Sequence, residues 1–152
     1  MTIQREGYLM AAWQLTLSIL PDLFAICRLP ANAPLPAWAH AGAFTSITRT
    51  GDEVSIVCPQ ADVPAGVQVE GDWRCLKIEG PFSLEGAIGV VAALATPLAA
   101  AGLGIFIIST YDTDYLLIKD AHLARAIEVL AEAGHRTQPP SAAPAGSDGA
   151  HA

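Results

Sequence analysis

The sequence is short of charge: only 15% of its 152 residues are Asp, Glu, Lys or Arg, against 52% hydrophobic. That excludes the high-charge, low-hydropathy composition of a disordered chain. It also leaves little solvated surface, so a second copy is expected to cover some of the apolar remainder, as a homodimer or larger. Basic residues are scarcer still. Eight Lys and Arg stand against 15 Asp and Glu, a net charge of −7, and the eight form no cluster. Nucleic-acid binding, which needs a basic patch, is excluded on that ground. An anionic membrane surface would repel such a chain, whereas a cationic or zwitterionic small ligand would not be repelled.

Three cysteines, Cys27, Cys58 and Cys75, are an odd number at wide spacing. They cannot close a disulfide framework and match no zinc or redox motif, so buried, reduced thiols of a cytoplasmic protein are expected. His40, His122, His135 and His151 lie far apart. They form no metal-ligand spacing and no recognisable pair with a serine nucleophile, so neither a metal nor a cofactor is expected. His135, bordering a polar tail, reads as solvated. Gly102-Leu103-Gly104 precedes a strand pattern, whereas a dinucleotide site needs its glycines after one. Glu79 and Glu85 lack an electrophilic partner that would make them an acid–base pair. All this points away from an enzyme. The first apolar run, residues 13–20, is short, ends at Pro21 and has no cleavage site, so no leader is expected. The uncharged stretch 86–108 is long enough for a membrane span, but Pro97, Gly102 and Gly104 interrupt it. A buried helix followed by a buried strand is the better reading.

What is present is period. Residues 13–20 and 23–29 read as strands joined by the turn Pro21-Asp22. Residues 37–41 make a helical turn, and 44–50 with 53–58 make a hairpin bent at Gly51-Asp52. Strand patterns recur at 73–79, 104–109 and 115–118. One helix is predicted over 85–101, capped by Gly102, and another over 121–133, N-capped by Asp120 and closed by Gly134. The apolar stripe of the second is Leu123, Ile127 and Leu130. The expected organisation is a flexible start (1–12), a first unit (13–60), a linker rich in Pro and Gly (61–71), a second unit (72–135) and a disordered tail (136–152). The β-α-β-β-α order of the second unit is one strand short of a ferredoxin-like βαββαβ unit, and the missing strand is expected from the other half or the N-terminus.

An internal repeat supports two units. A shift of 61 residues lays 46–57 over 107–118 without a gap and sets Glu53 opposite Asp114. Each copy runs from a strand through a hydroxyl-rich bend to an acid and into an apolar strand.

The stretch Ile105-Phe-Ile-Ile-Ser-Thr-Tyr-Asp-Thr-Asp-Tyr-Leu-Leu-Ile118, with Pro97-Leu98 and Ala101-Gly102 before it, resembles the second unit of small bacterial double-ACT proteins. These are similar to the ACT units of the cytosolic arginine sensor and of aspartate kinase regulatory domains. Thr48-Arg49-Thr50, followed by an acid and Ser55-Ile56-Val57, resembles the first unit, which is degenerate here. The resemblance, over residues 13–135, implies an α+β fold of two tandem ACT-like units with an antiparallel sheet and helices on one face. It also implies an allosteric module that binds a free amino acid at an ACT–ACT interface. An ACT-fold dimerisation protein with no working pocket is the alternative.

Asp114 is the first candidate contact. A carboxylate at a strand mouth accepts hydrogen bonds from an ammonium or guanidinium, each worth about 1.5–3 kcal/mol, and the resemblance points to the same acid. Ser109, Thr110 and Tyr111 leave the strand beside it, where backbone groups are expected to be free for a ligand. Gly80 and Pro81 permit close approach of a ligand to the backbone, and Glu79 offers a second carboxylate. A solvated turn would explain the same residues without a ligand.

Overall fold

The computed structural model describes residues 13–80, 82–83 and 87–139. The first half runs β1 (Thr16–Ile19), β2 (Phe24–Pro30), a 3-10 turn (Ala37–His40), β3 (Ser46–Arg49), β4 (Glu53–Pro59) and a second 3-10 turn (Gln60–Asp62). The second half runs β5 (Gln68–Ile78), α1 (Val90–Ala100), β6 (Phe106–Ser109) and β7 (Asp114–Lys119). It closes with a third 3-10 turn (Asp120–His122), α2 (Leu123–Glu132) and β8 (Arg136–Gln138).

All these strands form one sheet, and β5 organises it. Its start pairs with β2 (Trp73 with Phe24) and its end pairs with β1 (Ile78 with Leu17) along one edge. Its other edge pairs with β7 from Trp73 to Lys77. One strand thus ends the first ferredoxin-like unit, β5-β2-β4-β3, and begins the second, β5-β7-β6. β1 inserts between β5 and β8, pairing antiparallel with the first and parallel with the second. The N-terminal segment therefore enters the second unit, as expected, although the unit's own last strand is β8.

Alternation along the strands divides the core. Leu76, Ile78, Leu116 and Ile118 face α1 and α2, packing with Val90, Leu94, Leu98, Ala126 and Leu130. Each fully buried aliphatic side chain of this kind contributes about 1.5–3 kcal/mol. Cys75 and Leu117 point the other way, where Phe24 and Val57 of the first unit meet them. A separate cluster under the first 3-10 turn holds Ala25, Cys27, Ala39, Val54, Ile56 and Cys58. Gly102 (φ +74°) and Gly134 (φ +92°) end the helices in the left-handed conformation that glycine adopts without strain. After each, a backbone bond closes back into the helix: Leu103 N–H to Leu98 O (3.0 Å) and His135 N–H to Leu130 O (2.9 Å).

Several expectations need correcting. β5 begins at Gln68, inside the segment expected as a linker, because β2 supplies partners for its polar start. Arg136–Gln138 is strand, not tail, because β1 supplies a ladder. The sheet is therefore mixed rather than purely antiparallel. The described part of α1 begins at Val90, after Gly89 in a left-handed conformation (φ +79°). Asp120 caps no helix and instead pairs with Arg74 at 3.4 Å. His135 is buried, not solvated. The expectations for residues 1–12 and 140–152 lie outside the described residues.

Candidate functional site

The β6–β7 hairpin is built by its hydroxyls. Thr110 N–H donates to Thr113 O (2.8 Å), and Thr110 Oγ1 accepts from Thr113 N–H (3.3 Å). Thr113 is itself buried and donates through Oγ1 to Ile78 O (2.5 Å), which fixes the bend to the end of β5. The loop after β5 is held against the same bend. Phe82 N–H donates to Asp112 O (2.9 Å). Trp13 clamps that loop from outside, its indole N–H on Ile88 O (2.8 Å) and its ring edge-on to Phe82 at 5.7 Å. A Cβ on Gly80 would lie 3.0 Å from both the Phe82 nitrogen and its ring, a tight fit that glycine avoids.

Two cavities flank this junction. One, of about 200 Å³, is lined among the described residues by Phe82, Ser83, Ala87 and the run Ser109–Asp114. The other, of about 220 Å³, is lined by Lys77, Gly80, Asp112 and Thr113. Four expected residues, Ser109, Thr110, Tyr111 and Asp114, thus converge on one cavity, and Gly80 lines its neighbour. Asp114 is half-buried and accepts a 2.5 Å hydrogen bond from Ser109 Oγ; Tyr111 is 82% exposed. Contrary to the expectation from the sequence, the Thr110 N–H is not free for a ligand, because Thr113 O takes it. Glu79 lines neither cavity: its carboxylate accepts from Ser18 Oγ at 2.6 Å, on the β1 side. Pro81 lies outside the described residues. Sequence reasoning missed Lys77, Phe82, Asp112 and Thr113. Asp112 and Thr113 stood inside the quoted motif and could have been found there; Lys77 and Phe82 carried no local signal. Among the described residues no group of His, Cys, Asp and Glu could hold a metal ion, and no helix is long and apolar enough to cross a membrane.

The first unit repeats the hairpin with a different outcome. Arg49 stands opposite Val54 as Ser109 stands opposite Asp114, a spacing of 60 residues, not 61. The bends agree: Thr50 N–H donates to Glu53 O (2.9 Å) as Thr110 N–H does to Thr113 O. Thr113, and not Asp114, is therefore the counterpart of Glu53. Where the second unit has the small Ser109, the first has Arg49. Its guanidinium donates to Ala31 O and to Ala33 O (2.8 Å), strapping the loop that corresponds to the one after β5.

Residues 68–132 match the model of the ACT domain family. Residues 22–66 match a model described only as an N-terminal domain. Over 59 residues the chain is 39% identical to human and bovine (Bos taurus) "Cytosolic arginine sensor for mTORC1 subunit 1". That match covers 38% of this chain but only 18% of the sensor. The crystal structure of a protein from Agobacterium tumefaciens is 41% identical, with a TM-score of 0.80, covering 85% of this chain and 96% of that one. The ligand-free regulatory subunit of aspartate kinase from Thermus thermophilus shares the fold at 12% identity and a TM-score of 0.52, over 76% of this chain and 97% of that one.

Proposed function

Because this chain belongs to the ACT-domain family, we propose that it is a regulatory module binding a free amino acid between the loop after β5 and the β6–β7 hairpin. The contrast between its two units carries the reading. In the first, Arg49 fills the space between hairpin and loop and satisfies the loop carbonyls. In the second, the corresponding space is a cavity edged by Asp112 and Asp114. An occupant that does there what Arg49 does in the first unit carries an ammonium or guanidinium. Asp114 receives that cation, Ser109 and Thr110 offer hydroxyls, and Gly80 keeps the loop backbone close. The acidic balance of the chain favours the same ligand class. The arginine sensor that it resembles in part makes L-arginine the first candidate.

The cavity lies within the second unit, so an ACT–ACT interface there requires a second copy. β3, β6 and β8 each leave one edge unpaired among the described residues, and such edges call for cover by a homodimer. Three free, buried thiols fit a reducing compartment such as the cytoplasm. As an ACT regulatory domain, the module acts by binding. A thermal-shift screen of the proteinogenic amino acids tests the reading. Ligand at about 100 times its dissociation constant adds about 2.7 kcal/mol of stability. Stabilisation by basic amino acids is the expected result; no response to any would leave a dimerisation protein with no working pocket.

A further inference from the structure

A different cavity, of about 280 Å³, opens on the sheet face away from the helices. Its size is near the lower end of small-ligand pockets, about 300–1,000 Å³. Its walls are the rings of Phe24, Phe44 and Tyr115 together with Leu20. Phe44 stands edge-on to Phe24 at 5.5 Å and against Tyr115 at 4.6 Å, so the aromatic wall is already packed into one surface. One cation, Lys77, lines it, half-buried on β5 beside Tyr115 of β7. Among the described residues the Lys77 ammonium has no ion pair and no hydrogen bond, whereas Arg28, Arg74, Lys119 and Arg125 all have carboxylate partners. Asp22, an exposed acid of the β1–β2 turn, also borders the cavity.

We propose that this cavity is a second small-molecule site, selective for a monocarboxylate with a compact apolar body. The three rings and Leu20 receive the body, and Lys77 takes the carboxylate in a charge-assisted hydrogen bond. Asp22 disfavours a second negative charge, which separates monocarboxylates from dicarboxylates. Lys77 also lines the cavity beside Gly80 and Asp112. A carboxylate held there changes the charge at the border of the hairpin site, so the two sites are coupled. The proposal does not depend on an amino acid binding at the hairpin.

The test is an amide-resolved NMR titration of the full chain with 3-phenylpropionate and with its uncharged counterpart, 3-phenylpropan-1-ol. The acid shifts the amides of Phe24, Phe44, Lys77 and Tyr115 and binds at least tenfold more tightly than the alcohol. Lys77→Gln removes that preference. Ala43→Trp, at an exposed residue lining the same cavity, fills the space and abolishes binding without touching Lys77; it leaves the hairpin site intact, so any response to L-arginine is kept. Acid and alcohol binding equally well, shifts confined to residues 109–114, or wild-type binding by Ala43→Trp would each overturn the proposal.

Discussion

At the scale of single residues, His135 shows how distant groups define a side chain. Its Nδ1 accepts from Leu15 N–H at 3.1 Å, so the ring proton sits on Nε2 and meets Ala93 O at 3.2 Å. One buried imidazole therefore ties the start of β1 to α1 across the end of α2. Nothing near His135 in sequence announces this, because its partners lie 120 and 42 residues away. His135→Ala strands a buried donor and an acceptor and should cost about 2–3 kcal/mol; urea unfolding measures it, and a change under about 0.5 kcal/mol would contradict the role. The cysteines were legible as buried thiols from their apolar neighbours. Burial pushes Cys75 up to about 12; at Cys58 burial, then Cys27 and Asp62, do the same. Folding therefore holds on to thiol protons that the unfolded chain releases. Their contribution is complete below the ordinary thiol value of 9.0 and is lost as pH rises from there through about 12. Stability should fall with alkaline pH over that window, and unfolding midpoints from pH 8 to 11 check it. A flat profile would contradict it.

At the scale of elements, both helices and most strands could be read from period and from the glycines that close them. β8 and the start of β5 could not. Arg136-Thr137-Gln138 has no apolar residue and Gln68-Val69-Glu70 only the exposed Val69, and pairing with β1 and β2 makes them strands. The repeat was visible, but its offset was one residue out because hydropathy tolerates a slip that hydrogen-bond register does not. The hairpin motif marked one wall of the candidate site; in the other wall, the loop after β5, Gly80 and Pro81 stood out as a turn, while Phe82 carried no local signal. That loop gives an element-scale prediction. Gly80→Ala places a methyl group 3.0 Å from the Phe82 backbone nitrogen and presses Phe82 to shift by a few tenths of an ångström, at the point where its N–H bonds the hairpin. Amino-acid affinity should fall at least tenfold while the helical circular-dichroism signal is kept. Unchanged affinity would remove the loop from the site.

At the scale of the whole molecule, the two units are not separable bodies. β5 serves both, and β1 of the first half is built into the sheet of the second. Unfolding should be one cooperative transition, with tryptophan fluorescence and far-ultraviolet circular dichroism giving the same midpoint; two separated midpoints would contradict this. Through the same continuity the proposed ligand at the hairpin would act on distant strand edges, since Thr113 anchors the bend to β5. The ligand itself is the centre of the reading, and Asp114 is where charge and cavity meet. Calorimetric titration of L-arginine into the wild-type protein and into Asp114→Asn is the most direct measurement. Loss of one charge-assisted bond, about 1.5–3 kcal/mol, weakens binding roughly 10- to 150-fold. Equal affinities in the two proteins would contradict the site.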